Sequence, residues 1–359
     1  MPFLTIPEPM AMLARNPFIT DFSSDGPIPY VMRQKLTKAP VLPPAERIKD
    51  RTVLITGATG GVGLSAAQQF LQLGAVLLLG VRDTIRGNVV RDLLLQEVPS
   101  GSVTTFELDL ASFDSVDRFV KTVKASLSGR GLDIAIMNAA SLSKERNLTV
   151  DGHEMLLQVN LLSTAYLSSL LTPLLSQKSI PGRLVVVTSE AHAWVTYSPS
   201  EDGQIINHLD QDTTNFANRY NLTKLLITLW TEALAKSIDR SQLEVTMTTP
   251  GFCASDLFRD SKGLMLQFIN LTSARPLSYG GKTHIHAASA PLSTNGQYFR
   301  DGKQARWALL PFSYTMKLTR IRTSRFCHSD AGDDLRTRLY REVNSLLKAR
   351  NPDLELETL

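Results

Sequence analysis

From Arg51 onward, short β-rich runs alternate with helical stretches, and this alternation limits the possible folds more than any other feature of the chain. Thr52–Ile55, Ala75–Leu79, Val103–Leu108, Leu132–Met137, Arg183–Thr188 and Glu244–Thr248 read as strands, and Gly296–Arg300 as a last edge strand. Leu64–Leu73, Ser112–Leu127, Gly152–Leu175 and Thr214–Ser237 read as helices. Apolar spacing at Leu335, Leu339, Val343, Leu346 and Leu347 predicts a C-terminal helix over Asp330–Lys348. Strands alternating with helices form βαβ units, so the expected fold is α/β, a doubly wound parallel sheet of Rossmann type. A length of 359 residues allows about two domains on a prior of roughly 150 residues each, but the motifs below run in one order along one sheet and predict a single domain.

The first fifty residues differ in kind. Pro2, Pro7, Pro9, Pro17, Pro27, Pro29, Pro40, Pro43 and Pro44 break helices and remove ladder donors. They predict an extended arm over 1–50 with one short helix near Tyr30–Leu36. The arm could pack on the core, bind a partner or be mobile, and packing is the expectation for 28–50. The catalytic unit is expected over 51–305, with a substrate lid over 256–282, and a C-terminal extension with its helix over 306–359. Leu257, Phe258, Leu264, Met265, Leu266, Phe268 and Ile269 in the lid suit either an apolar pocket or plain core packing.

Composition excludes several classes. Two cysteines, Cys253 and Cys327, cannot make a disulfide framework or a cysteine zinc module. Six scattered histidines without a His-Glu-x-x-His run predict no metal. A net charge of +4 without a basic, aromatic-interleaved stripe gives no reason to expect nucleic acid. No run of about 20 apolar residues predicts a membrane span, and the N-terminus lacks a secretory pattern. Sequons at Asn147, Asn221 and Asn270 would matter only in a secreted chain. Asn221 adjoins the candidate catalytic tyrosine, where a glycan would block the site, so a reducing, cytoplasmic setting is expected.

The first strand ends in Thr56-Gly57-Ala58-Thr59-Gly60-Gly61-Val62-Gly63-Leu64. A strand, then glycines, then a helix places a pyrophosphate at a helix N-terminus, where unpaired N–H groups and the helix dipole favour negative charge. The spacing Thr-Gly-x-x-x-Gly-x-Gly resembles the short-chain dehydrogenase/reductase family. That resemblance implies cofactor contacts along Thr56, Gly57, Gly61, Val62 and Gly63. Where an NAD-selecting acid would end the second strand, the chain reads Val81-Arg82-Asp83. A guanidinium suits a 2′-phosphate, so Arg82 points to NADP(H) over NAD(H). Arg82 could instead be a solvated loop arginine, and Asp83 would weaken the case if it faced the pocket. Asp109, in Leu108-Asp109-Leu110, matches the family aspartate that contacts adenine. Met137-Asn138-Ala139-Ala140 resembles the family's Asn-Asn-Ala-Gly run and departs from it at Met137 and Ala140. Asn138 remains to brace the strands.

Tyr220-Asn221-Leu222-Thr223-Lys224 puts Tyr220 and Lys224 on one helix face, a turn apart. A nearby ammonium would lower a tyrosine pKa of about 10 and let Tyr220 exchange a proton with a carbonyl oxygen. Tyr-x-x-x-Lys alone is common on structural helices, so its partners decide. Ser189, after Leu184–Thr188, aligns with the family serine that orients the carbonyl, with Thr188 as the alternative. Asn160, in Gln158-Val159-Asn160, matches the asparagine whose local kink holds a water beside the lysine. Thr249-Pro250-Gly251 resembles the turn that passes the nicotinamide, and Ser255 falls at the carboxamide-contacting threonine. Cys253 reads as a small hydrophobe. Ser189-Glu190-Ala191-His192 resembles the retinol-dehydrogenase-like branch. There His192 either lines the substrate mouth or is structural, the latter being the expectation.

The resemblance, firm over 51–255 and extending toward fungal reductases, implies an NADP(H)-dependent oxidoreductase. It would interconvert a ketone or aldehyde with an alcohol on a hydrophobic small molecule in secondary metabolism. Family members that dimerise or form tetramers imply a homo-oligomer as an option. The rivals are a non-redox cyclase or dehydratase of the same fold, and a cofactor-sensing interaction module using the arm.

Overall fold

The computed structural model describes residues 33–355 except 144, 178–179, 200–203, 214–215, 255–273, 302, 305–306, 309–318 and 321–322. Residues 1–32 of the arm, the expected lid as far as 273, the Asn270 sequon and Ser255 therefore lie outside the described residues. Eight strands form one sheet in the order β3-β2-β1-β4-β5-β6-β7-β8. They are β1 (Thr52–Thr56), β2 (Val76–Val81), β3 (Ser102–Glu107), β4 (Ile134–Met137), β5 (Gly182–Val187), β6 (Leu243–Thr249), β7 (Gln297–Arg300) and β8 (Lys303–Gln304). β1 to β7 pair in parallel, and β8 returns antiparallel on β7. Gly296–Arg300 is thus not the edge, because β8 covers it. A separate antiparallel pair joins β9 (Trp307–Ala308) and β10 (Thr319–Arg320).

Strand residues alternate between two cores, as the period-two pleat requires. Val53, Ile55, Leu77, Leu79, Ile134, Ile136, Val185 and Val187 face one apolar cluster. Leu54, Leu78, Ala135, Met137, Leu184, Val186 and Val245 face the other. The helices covering them are α1 (Gly61–Gln72), α2 (Thr84–Glu97), α3 (Phe113–Leu127), α4 (Met155–Leu175), α5 (Ile205–Gln211), α6 (Arg219–Ser237), α7 (Leu277–Ala288) and α8 (Asp330–Arg350). The sequence reading lacked α2, α5 and α7. Leu277–Lys282, expected in the lid, instead opens α7, whose Gly281 sits so close to α1 that a Cβ would meet Gln69 at 2.5 Å. The helix expected from Thr214 begins at Arg219, preceded by a 3-10 turn over Phe216–Asn218.

α4 carries a π turn over Gln158–Leu162. It is the one described helix long and apolar enough to cross a membrane, and 78% of its most apolar window is buried in the core. α8 belongs to the core as well, with Leu335, Leu339, Val343 and Leu347 fully buried against α6. Glu342 of α8 also accepts from the first N–H groups of α5, Ile205 and Ile206, at 2.8 Å each.

In an open parallel sheet a ligand binds beyond the C-terminal strand ends, where the strand order reverses. Here the order reverses between β1 and β4, which puts Gly57 beside Asn138 and Ala139.

Candidate active site

β1 delivers the glycine loop to that crevice. Gly57 and Gly61 take φ of 69° and 57°, the left-handed region that glycine enters without strain. Gly63 is held by contact, since a Cβ there would lie 2.4 Å from the Gly57 carbonyl oxygen and 2.5 Å from Asn138 Nδ2. Gly60 offers no side-chain cap to α1. The first N–H groups of that helix can therefore meet an anion. This cradle fits a dinucleotide pyrophosphate. Val62 lies in it and packs on α7 at Gly280.

Thr56 has a different part from the one expected. It is 1% exposed, and its hydroxyl accepts from the N–H of Asn138 at 3.1 Å and of Ala139 at 3.0 Å. It braces the cradle from behind and is not open to a ligand. Asn138 completes the brace. Its Nδ2 donates to the carbonyls of Thr56 at 2.9 Å and Gly57 at 3.3 Å, and its Oδ1 accepts from His284 Nε2 at 3.0 Å. His284, on α7, is fully buried, and burial with the Lys224 charge lowers its pKa to about 3. The imidazole is neutral, with its proton on Nε2. No sequence signal marked it.

Arg82 stands exposed at the C-terminal end of β2. Asp83 does not turn into the site: its carboxylate caps α2 by accepting from the Arg86 N–H at 3.0 Å. Asp109 follows β3, with Oδ1 accepting from the Ala111 N–H at 2.9 Å and its own N–H donating to Ser115 Oγ. Both lie at the ligand end of the sheet, as expected.

β5 and α6 bring the reacting groups together. Tyr220 faces Ser189, whose side chain favours the phenolate, and Ser189 caps the 3-10 turn Glu190–Trp194 by accepting from the Ala191 N–H at 3.2 Å. Thr188 is excluded as the alternative, because it is buried and its hydroxyl donates to the Thr248 carbonyl at 3.3 Å. Lys224 Nζ donates to the Val187 carbonyl at 3.0 Å and lies 5.9 Å from the Tyr220 ring centroid. The expected lowering of the tyrosine pKa is not found. Burial pushes the Tyr220 hydroxyl up to about 12, offset in part by Ser189. Burial likewise lowers Lys224 to about 8. Desolvation is the largest cause of both shifts.

Asn160 sits in the π turn of α4, where the expected kink occurs. Its side chain makes three hydrogen bonds. Nδ2 donates to the Ser141 carbonyl at 2.9 Å and Thr223 Oγ1 at 3.1 Å, and Oδ1 accepts from the Ser141 N–H at 2.7 Å. It ties the segment after β4 to α6 one residue before Lys224.

Pro250 and Gly251 follow β6, with Gly251 at φ 72°. Cys253 donates to the Pro250 carbonyl at 3.4 Å, and burial raises the thiol to about 12, so it is no nucleophile. His192 is structural. It is 2% exposed, its Nδ1 faces the Ser189 carbonyl, and its Nε2 accepts from the Ser324 N–H at 3.1 Å. Among the described residues no group of His, Cys, Asp and Glu could hold a metal.

Known proteins resemble this chain in sequence and in fold. The family model described as short chain dehydrogenase matches residues 51–203. The short chain dehydrogenase resG of Aspergillus sclerotiorum is 39% identical over 96% of this chain and 97% of its own. The short chain dehydrogenase rstn4 of Aspergillus nomiae is 40% identical over 96% and 94%. An NADPH-bound carbonyl reductase from chicken fatty liver superposes with a TM-score of 0.55 at 19% identity, over 72% of this chain and all of that one.

Proposed function

The chain belongs to the short-chain dehydrogenase/reductase family, and on that premise we propose that it is an NADP(H)-dependent oxidoreductase interconverting a ketone or aldehyde with its alcohol. The substrate is a hydrophobic small molecule, and the fungal relatives support a place in secondary metabolism. Two buried free cysteines suit a cytoplasmic setting.

The observation that carries this reading is the convergence of Tyr220, Ser189 and Lys224 at the end of β5, the same sheet end as the glycine cradle. A bound nicotinamide supplies or accepts the hydride. Gly57, Gly61 and Gly63 hold the pyrophosphate at the α1 N-terminus, Arg82 meets a 2′-phosphate, and Asp109 meets the adenine. Pro250 and Gly251 flank the nicotinamide. Ser189 donates to the substrate oxygen and orients it. Tyr220 exchanges the proton at that oxygen. The phenol, raised to about 12 by burial, carries its proton at neutral pH. Lys224 offers its ammonium to the cofactor ribose, and Asn160 keeps α6 and the segment after β4 in register.

The test is a carbonyl screen followed at the nicotinamide absorbance with NADPH and NADH in parallel. Consumption of NADPH in step with alcohol formation is expected. Product formation without nicotinamide consumption would contradict the proposal and favour a non-redox reaction.

A further inference from the structure

A buried ion network joins the segment before β1 to the two loops that carry Ser189 and Gly251. Arg33 bridges two carboxylates, donating from Nη2 to Glu190 Oε1 at 2.8 Å and from Nη1 to Asp301 Oδ2 at 2.9 Å. Gln34, 2% exposed, donates to the other Glu190 oxygen at 3.2 Å. Glu190 directly follows Ser189. Arg275, 3% exposed, closes the network from the far side. It pairs with Asp301 at 2.5 Å and donates from Nε to the Gln34 carbonyl at 3.1 Å. Its backbone also pairs with the strand-like stretch after Gly251, the N–H donating to Phe252 at 2.8 Å. Arg275 and Gln34 press on the turn itself: a Cβ on Gly251 would meet Arg275 Nη1 at 2.6 Å and Gln34 Oε1 at 3.0 Å.

We propose that Arg33 and Gln34 are positioning residues. They form a strap that fixes the catalytic serine loop and the Pro250-Gly251 turn relative to each other. Buried charge-assisted hydrogen bonds are short and directional, so they set geometry more narrowly than apolar packing does. The arginine serves two carboxylates on different loops, and the glutamine touches both loops. Neither residue reaches the reacting atoms. Ser189 is held on its other side by His192, which is locked to Ser324. The strap thus completes a clamp around the serine. The inference rests on the oxidoreductase reading for what the clamp serves, while the clamp itself is a matter of structure.

The experiment compares wild type, Arg33→Ala, Arg33→Lys and Glu190→Gln in the full chain. Hydrogen exchange is read first, at the Ala191, His192 and Ala254 amides. Exchange at least about tenfold faster in Arg33→Ala, with β1 to β4 unchanged, is expected. Turnover is then read with NADPH and 9,10-phenanthrenequinone as probe. A kcat loss of about ten- to hundredfold is expected in Arg33→Ala, with partial recovery in Arg33→Lys, which can keep one of the two contacts. Should the alanine variant fail to fold, the isosteric Glu190→Gln carries both readouts. Unchanged exchange overturns the strap whatever the activity. Faster exchange with unchanged kcat overturns the positioning role and leaves a clip of stability only. A wild type that turns over no carbonyl contradicts the oxidoreductase reading, and the exchange data have by then decided the strap.

Discussion

Arg82 is the residue on which the proposed preference for NADP(H) rests. Asp83 caps α2, so that carboxylate does not compete with Arg82 for a 2′-phosphate. A hydrogen bond to a charged group contributes about 1.5–3 kcal/mol. Arg82→Ala is therefore expected to weaken NADPH binding about 10- to 100-fold and leave NADH binding unchanged, measured by fluorescence titration of both. Equal losses for the two cofactors would contradict the assignment. Lys224 gives a pH dependence. Its ammonium loses its proton near 8 in the folded protein, well below the ordinary lysine value, because burial penalises the charge. If the charged form binds cofactor, NADPH affinity falls as pH rises through about 8, by about tenfold per pH unit beyond it. Titrations at pH 7 and pH 9 check this, and Lys224→Met is expected to remove the slope. Identical slopes in both proteins would contradict it. At this scale spacing was enough to place Tyr220 and Lys224 on one face of α6, beside the end of β5 that leads to Ser189. It was not enough where a partner distant in the chain decides the role. Thr56, expected at the cofactor, turned out to brace Asn138 and Ala139. The amide of Asn160 is tied to Ser141 and Thr223, which no spacing reveals.

Among the elements, α7 shows what periodicity cannot reach. Its Gly280-Gly281 pair lowers the helix signal yet allows α7 to lie against α1. That contact brings His284 onto Asn138. The unfolded chain protonates a histidine near the ordinary value, whereas His284 in place stays neutral down to about 3. Only the unfolded state takes up that proton between those values, so stability falls as pH drops through the window, by about 2 kcal/mol at pH 5. The thermal midpoint of wild type is expected to fall more steeply from pH 7 to pH 5 than that of His284→Gln, which keeps a donor for Asn138. Parallel slopes would contradict the placement. α4 was read as one helix and is one in path. The π turn that sets the place of Asn160 shifts the helical phase, but the helix is buried on nearly every side and has no polar stripe to show the shift. α2 was missed because most of its face is solvated, with only Gly87, Val90 and Leu94 buried.

For the whole molecule, parallel pairing followed from alternation alone, since a short parallel strand must return through a helix, whereas the strand order came only with the structure. The fate of the C-terminal residues did not follow. Read as an extension, α8 in fact completes the core beside α6, and Trp230 Nε1 donates to its Asn344 at 3.3 Å. Leu339 is fully buried there. Leu339→Ala is expected to cost about 2–5 kcal/mol in urea unfolding, and a cost near zero would make α8 an appendage. One sheet thus gathers the glycine cradle from β1, Asn138 from β4, Ser189 from β5 and Pro250 from β6 around Tyr220. The reaction assigned to that gathering stands or falls on the tyrosine proton. With a carbonyl that wild type reduces, Tyr220→Phe is expected to bind NADPH within about twofold of wild type yet show no NADPH consumption above background. Turnover by Tyr220→Phe at the wild-type rate would contradict the account.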